Sequence, residues 1–355
     1  MKRRNAIDVS VITLNYKESS LTKKCIRSIL KSRGIKFEII VIDNSQTEKD
    51  KKDLQKLKNK KIKILFPNKN LGCARGYNLG IEQSQGKYIF ILNNDTEIRN
   101  PQALFLMFQY LEKHKSTAVI QPKIKSLKNP AYFEYAGAAG GFIDILGYPF
   151  CRGRLFETVE RDDGQYNNSV EISWASTCAF FANKEALIKA GKFDPIYFAY
   201  AEEIDTSLKL WNLGYKVVYF PQVEVFHRGE TSWKKIRGRK TFLIHRNHLI
   251  LFFKCFPLKK IFTLLPQRIF LEFVSLIYYI IHNSNLHIFP VMFSHVSLFF
   301  LFPQIIKKRT EFFKETSKNK APVYNRSIVY EYFLNKRKKF TSLDLLVLKK
   351  YYEIS

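Results

Sequence analysis

At 355 residues, with 46% hydrophobic and 25% charged side chains, the chain can hold one large domain plus an appendage of about 100 residues, and it is too apolar to be wholly disordered, collagen-like or mucin-like. A formal net charge of +28 points to an anionic partner: nucleic acid, acidic lipid or a polyphosphorylated ligand. Five cysteines (Cys25, Cys73, Cys151, Cys178, Cys255), odd in number and without a paired CxxC spacing, argue against a disulfide framework or a zinc site and for a reducing compartment.

Residues 1–4 are basic, but the apolar run behind them is short and has no small-residue cleavage site, which argues against export. The run 9–14 (VSVITL) and the run 36–42 (KFEIIVI), which ends at Asp43, read as buried parallel strands. Between them Leu21, Cys25, Ile26, Ile29 and Leu30 recur at helical spacing, and Gly34 marks the stop. A lysine-rich helix over 48–58, a strand over 62–66, a glycine-punctuated loop and helix over 70–84, and the strand KYIFIL over 87–92 repeat the pattern. Alternation of this kind predicts an α/β fold with a mostly parallel sheet flanked by helices, which places ligands at the carboxyl ends of the strands.

Beyond about residue 120 short strands and glycine-rich turns take over, followed by a helix over 201–213 and a strand over 216–220. The organisation expected is a catalytic-type domain over 1–240, an apolar and basic membrane-associated helical region over 241–306, and a basic helical tail over 307–355. Residues 234–260 hold nine Lys or Arg and no Asp or Glu, interleaved with bulky apolar side chains, which fits an anionic bilayer better than a nucleic-acid groove. The uncharged stretch 286–306 has the length of a bilayer span, but Pro290, His295 and Pro303 weaken that reading. Pro266, Arg268 and Glu272 interrupt the stretch 261–281 in the same way, so helices lying at the interface are expected.

Five constellations carry chemistry, each beside a plainer role. Asp43-Asn44-Ser45 at a strand end can accept hydrogen bonds from a nucleobase or ribose, or can simply cap a helix. In NLGCARGYNLG (70–80) three glycines four apart allow close approach of a ligand or of a packed sheet, and Arg75 can meet a phosphate. Asn93-Asn94-Asp95 at a strand end can hold Mg²⁺ or Mn²⁺ against a diphosphate, or form an Asx turn. Glu202, Glu203 and Asp205 crowd a helix start, where mutual repulsion raises a carboxyl pKa towards that of a general base, although acidic first turns also serve the helix dipole. His227, in VEVFHRG, is a metal ligand or a buried structural histidine. Trp174, in SWASTCAFF, is a stacking platform for an acceptor or a core residue.

The order and spacing of these motifs over roughly residues 8–235 resemble the inverting family 2 glycosyltransferases of the GT-A fold. The sequence is most similar to bacterial rhamnosyltransferase-type members, through NLGCARGYNLGI, ILNNDTEI, GKFDPIYFAYAEEIDTSLKLWNLGY and VFHRGETS. The resemblance implies that Thr13, Asn15 and Asp43 line the nucleotide pocket, with Arg75 and Asn94 on the same donor side. It implies further that Asp95 and His227 bind a divalent metal (Mn²⁺ or Mg²⁺), that Glu203 is the base, and that Glu202 and Trp174 lie towards the acceptor. Asn93 and Asn94 depart from the acids of a fuller DxD motif, and Glu203 stands where Asp is commoner.

The expected activity is transfer of a sugar, rhamnose among the candidates, from a dTDP- or UDP-linked donor to a saccharide or lipid-linked acceptor of a cell-surface polysaccharide. The expected location is cytoplasmic, peripherally on the inner face of the cell membrane, with an anionic membrane surface and no nucleic acid as partner. The competing expectation is a basic, membrane-associated binding protein that keeps the fold without turnover.

Overall fold

The computed structural model describes residues 6–229, 237–282, 285–314 and 320–350. The end of the HRGETS motif (230–232), the start of the basic run (234–236) and the last five residues of the tail lie outside the described residues.

The first half of the fold follows the hydrophobic pattern. Strands β1 (Val9–Asn15), β2 (Phe37–Asp43), β3 (Ile62–Leu65) and β4 (Tyr88–Leu92) alternate with helices α1 (Ser19–Ile29), α2 (Glu48–Gln55) and α3 (Gly72–Glu82). The strands pair in parallel in the order β3-β2-β1-β4, with β1 and β2 in register from Val9↔Phe37 to Asn15↔Asp43. The central residues of β1, β2 and β4 are fully buried because helices cover both faces, while β3 at the edge is half-exposed. The shared register brings Asn15 and Asp43 to one edge of the sheet, beside the end of β4.

The short β5 (Thr96–Glu97), α4 (Ala103–Lys113) and the long β6 (Thr117–Ser126) come next. Helix α4 was legible in the periodic Leu104, Met107 and Leu111, all buried, but the sequence reading passed over it. Four short strands follow: β7 (Gly141–Asp144), β8 (Pro149–Cys151), β9 (Arg154–Leu155) and β10 (Thr158–Val159). Then come β11 (Val170–Glu171), β12 (Ala179–Asn183), α5 (Lys184–Lys189), α6 (Glu202–Asn212) and β13 (Lys216–His227). Beyond β4 the main sheet continues β12-β6-β13-β11 and becomes mixed, since β12 runs antiparallel to both β4 and β6 while β13 is parallel to β6. The strand expected over 216–220 runs on to His227 through an irregularity between Phe220 and Glu224, and so delivers His227 to the same edge as Asp95.

Three helices follow: α7 (Arg237–Cys255), α8 (Leu258–Ile281) and α9 (Asn285–Phe313). The prolines and charges that argued for breaks lie inside continuous helices. The physical reason is tertiary. Arg268 and Glu272 form a buried pair 2.9 Å apart, Arg268 donates to the Leu146 carbonyl, and His245 of α7 lies 2.8 Å from Glu272. Arg268 and Glu272 therefore face the protein, while Phe262, Ile269, Phe273 and Ile280 are exposed on the other side of α8.

The tail expected to be helical over 307–355 is helical only in part. After α9 it forms β14 (Pro322–Tyr324), α10 (Ile328–Phe333) and β15 (Leu348–Lys350), and β14 adds in parallel to β7 to complete a second sheet, β10-β9-β8-β7-β14-β15. The buried Asp144 fastens this return, accepting from the amides of Leu146, Tyr148 and Ile328. Replacing Asp144 by Ala leaves those buried donors without an acceptor, and we expect a loss of about 2–4 kcal/mol in urea denaturation. An unchanged midpoint would show that the tail is held elsewhere.

Candidate functional site

Two of the five constellations merge at the edge of the sheet. Asn15 donates to Asp43 Oδ1 (2.9 Å), Thr22 donates to Asn15 Oδ1 (2.7 Å), and Asn94 donates to Thr22 Oγ1 (3.0 Å). The Ser45 amide also donates to Asp43 Oδ1, which fixes the carboxylate in one orientation. Thr13 is fully buried, and its hydroxyl has no hydrogen-bond partner. An orphaned buried hydroxyl beside an oriented carboxylate is what a polar ligand would complete. Asn94 thus belongs to the Asp43 network, and its replacement of an acid is explained: the amide donates where a carboxylate could only accept.

Asp95 and His227 form the second cluster, Oδ1 to Nε2 at 3.0 Å. On the far side of the ring, His227 Nδ1 lies 2.8 Å from Glu134 Oε2. Burial works against charge on His227, but Cys178 and Asp95 outweigh it and hold its pKa well above the ordinary value. Burial likewise works against ionisation of Glu134, yet His227 holds its pKa below the usual carboxylate range. Glu134 was missed in the sequence, since it sits in a loop far from any motif. It fixes the ring as a carboxylate–histidine pair does in metal sites. Asn93 meets both sides, its amide 3.3 Å from His227 Nε2 and its oxygen accepting from Tyr77 of α3.

The donor set at Asp95 suits a divalent cation. No three Asp, Glu, His or Cys groups converge as a full cage among the described residues. Such a cation takes its other oxygens from substrate and water. A cavity of about 470 Å³ opens beside Asp95, lined by Lys24, Arg27, Lys31, Arg99 and Arg228, so the surroundings favour an anionic ligand. These cations were not singled out in the sequence because three segments supply them.

The third cluster is Glu202 and Glu203 at the start of α6. The Oε2 atom of each is buried and without a hydrogen-bond partner. Burial, then the neighbouring Glu203, pushes the Glu202 pKa well above the carboxylate range, and burial pushes Glu203 up to about 7. The pair stands over α3, where burial and then Glu202 and Glu203 raise the Cys73 thiol. Asp205 belongs elsewhere: Lys254 at 2.8 Å and Lys209 at 3.2 Å keep it ionised.

One expectation is corrected, and one that stood open between ligand approach and packing is decided. Trp174 is not an acceptor platform: its ring packs against Gly141, where a Cβ would stand 2.2 Å away, and its indole donates to the Phe142 carbonyl in the core. The three spaced glycines serve packing. A Cβ at Gly80 would meet Ile12 at 2.4 Å, one at Gly76 Leu14 at 2.9 Å, and one at Gly72 the Phe198 carbonyl at 2.5 Å. Arg75 between them is exposed at the start of α3.

Residues 10–185 match the family described as glycosyl transferase family 2. That span holds the Asp43 and Asp95 clusters and ends before Glu202, Glu203 and His227. Among curated proteins, the glycosyltransferase GlyG of Streptococcus pneumoniae is 23% identical over 59% of this chain and 67% of its own length. An N-acetylglucosaminyl-diphospho-decaprenol L-rhamnosyltransferase of Mycobacterium tuberculosis is 21% identical over 61% of this chain and 75% of its own. Among solved structures, GalNAc-T7 with UDP, GalNAc and Mn²⁺ superimposes with a TM-score of 0.53 at 16% identity, over 71% of this chain and half of that one. Its likeness bears out the GT-A fold expected from the motifs.

The sign of the Glu203 shift yields a stability test. With a folded pKa raised from 4.5 to about 7, the native state holds a proton that the unfolded state has lost between those values, so stability falls as pH rises through that window. Glu203→Gln should therefore be more stable than the wild type by about 3 kcal/mol at pH 8 and close to it at pH 4.5. Equal stability of the two proteins at pH 8 would show that Glu203 ionises there without penalty.

Proposed function

From the glycosyl transferase family 2 domain carried by residues 10–185, we propose that the protein is an inverting glycosyltransferase that uses a nucleotide-sugar donor and a divalent metal. One observation carries the reading: two adjacent carboxylates are buried at a helix start with unpartnered oxygens, across α3 from the Asp95–His227 pair. Burial without partners costs stability, and proteins keep such groups at reacting centres.

Asp43 and the Thr13 hydroxyl would read the nucleotide, with Asn15 and Asn94 holding the carboxylate in place and Arg75 available to phosphate. Asp95 and His227 would hold Mn²⁺ or Mg²⁺, which supplies Lewis-acid relief of the charge on the departing diphosphate. Glu134 keeps the His227 ring oriented for that role. Glu203 takes the proton of the acceptor hydroxyl as its oxygen bonds to the anomeric carbon, and the bond to the diphosphate oxygen breaks with its electron pair. One displacement from the opposite face inverts the anomeric centre. Glu202, whose own pKa is raised by burial and then by Glu203, borders the acceptor side.

The mycobacterial relative acts on a polyprenyl-linked saccharide by its name, which supports a dTDP- or UDP-linked sugar, such as rhamnose, as donor and a lipid-linked saccharide of the cell surface as acceptor. The apolar outer sides of α8 and α9, where Phe262, Phe299 and Phe300 are each at least 73% exposed, support peripheral attachment to a membrane from the cytoplasmic side.

Nucleoside diphosphate release from a panel of dTDP- and UDP-sugars with Mn²⁺ or Mg²⁺ tests the reaction. Asp95→Ala and Glu203→Gln should each lower it by 10²-fold or more. Turnover should fall below about pH 7 as Glu203 becomes protonated. If no donor is bound or hydrolysed, the protein is instead a binding protein on the same fold. In vesicle flotation, a triple Phe262→Ser, Phe299→Ser, Phe300→Ser variant should lose binding to anionic vesicles that the wild type keeps. Equal flotation of the two would refute attachment through this face.

A further inference from the structure

The acidic pair follows a loop of unusual backbone. Phe198, Tyr200 and Ala201 all have positive φ, at 63°, 68° and 69°, although none is glycine. Residues in that region cost of order 1–3 kcal/mol each and persist only where surrounding structure over-determines them. The loop is not helical until Glu202, so most of its carbonyls must find acceptors' partners outside it.

Those partners come from two helices. The Phe198 carbonyl accepts from the amides of Cys73 (2.7 Å) and Ala74 (3.2 Å) at the start of α3, beneath the close approach that requires Gly72. The others are met from α7. The side-chain NH₂ of Asn247 shares its two hydrogens among the carbonyls of Tyr197 (2.9 Å), Ala199 (2.7 Å) and Tyr200 (2.8 Å). Arg246 donates to the carbonyls of Ile196 and Tyr197, and its Nε donates to Asn247 Oδ1 at 2.9 Å, which fixes which end of the Asn247 amide faces the loop. Asn247 is completely buried. One turn pair further along α7, Lys254 ties Asp194 (2.7 Å) to Asp205 (2.8 Å), so the same helix closes the loop at both ends.

We propose that Asn247 is a positioning residue for glycosyl transfer: by holding the carbonyls of Tyr197, Ala199 and Tyr200 it keeps Phe198, Tyr200 and Ala201 left-handed and presents Glu202 and Glu203 over the start of α3. The proposal rests on the transferase reading above. It also makes α7 the element through which the α8–α9 layer is joined to the reacting centre. A bilayer on the outer side of that layer then lies about one helix-packing distance, 8–10 Å, beyond α7. The acceptor suited to such a site carries its reacting hydroxyl close to the lipid headgroup.

The test uses the full chain with Asn247→Ala, Asn247→Ser and, as a control for a lost core side chain on the same helix, Leu251→Ala. At a temperature well below all melting points, Asn247→Ala should lower kcat of transfer by about 10²-fold with donor KM within about threefold, and Asn247→Ser, which keeps one donor, should recover part of it. The acid limb of its pH profile should move down by a pH unit or more as Glu203 gains access to water. Leu251→Ala should lower the melting temperature without either change. A wild-type kcat and pH profile in Asn247→Ala, or the same changes in Leu251→Ala, would overturn the proposal. Amide hydrogen exchange separates its failure from failure of the transferase reading. Faster exchange at Cys73, Ala74 and Asp205 in Asn247→Ala, with β1 unchanged, is expected whether or not a donor is turned over, and unchanged exchange there refutes the clamp.

Discussion

The requirement that buried carbonyls find donors governs the layout of this molecule. The loop before α6 bends through left-handed residues and cannot satisfy its own backbone, so α3 supplies amides from one side and α7 supplies Asn247 and Arg246 from the other. Because α3 also packs on β1 through Gly76 and Gly80, the loop, the sheet edge and the following helices are held in one frame. The acidic pair is set within that frame. Nothing else in the described structure fixes its place as directly.

Charge is sorted sharply around this frame. Most of the excess cations are on the surface, while the acids that matter are buried in three distinct settings. Asp43 is oriented by an amide and a backbone N–H, Asp95 and Glu134 flank an imidazole, and Glu202 and Glu203 each keep a buried oxygen without a hydrogen-bond partner among the described residues. The same residue type is thereby tuned to three behaviours by its neighbours: a fixed acceptor, an ionised ligand and a proton-holding carboxyl. Asp205, only two residues from Glu203, shows how local this tuning is, since two lysines keep it charged.

The helical layer after the sheet is best understood as two-sided. Its inner side carries the polar groups that serve the domain: Asn247, Lys254, Arg268 and Glu272. Its outer side is apolar along α8 and α9. With a buried ion pair docked at its middle, α8 does not present hydrocarbon all round. The returning strand β14 then locks the layer to the domain through Asp144.

Period-two and helical hydrophobic patterns fixed β1 to β4 and α1 to α3 in the chain, and the polar residues at the strand ends, Asp43 and Asp95, marked the site because parallel strands end together. Glu202, Glu203 and His227 were also legible, as polar residues at the ends of apolar elements. What the chain could not disclose was everything that depends on long-range approach. Glu134 meets His227 across 93 residues of sequence, Asn247 meets the loop across about 50, and Arg268 finds Leu146 across 122. Arg268 and Glu272 read as interruptions of an apolar stretch because their compensation is tertiary, Trp174 stayed open between an acceptor platform and a core residue because only folding sets its ring on Gly141, and the tail read as wholly helical because β14 forms only against β7. Local pattern determines which elements form and where polar groups emerge, since those follow from backbone sterics and periodic burial; which distant groups satisfy one another is decided only when the sheet, α7 and the returning tail close upon each other.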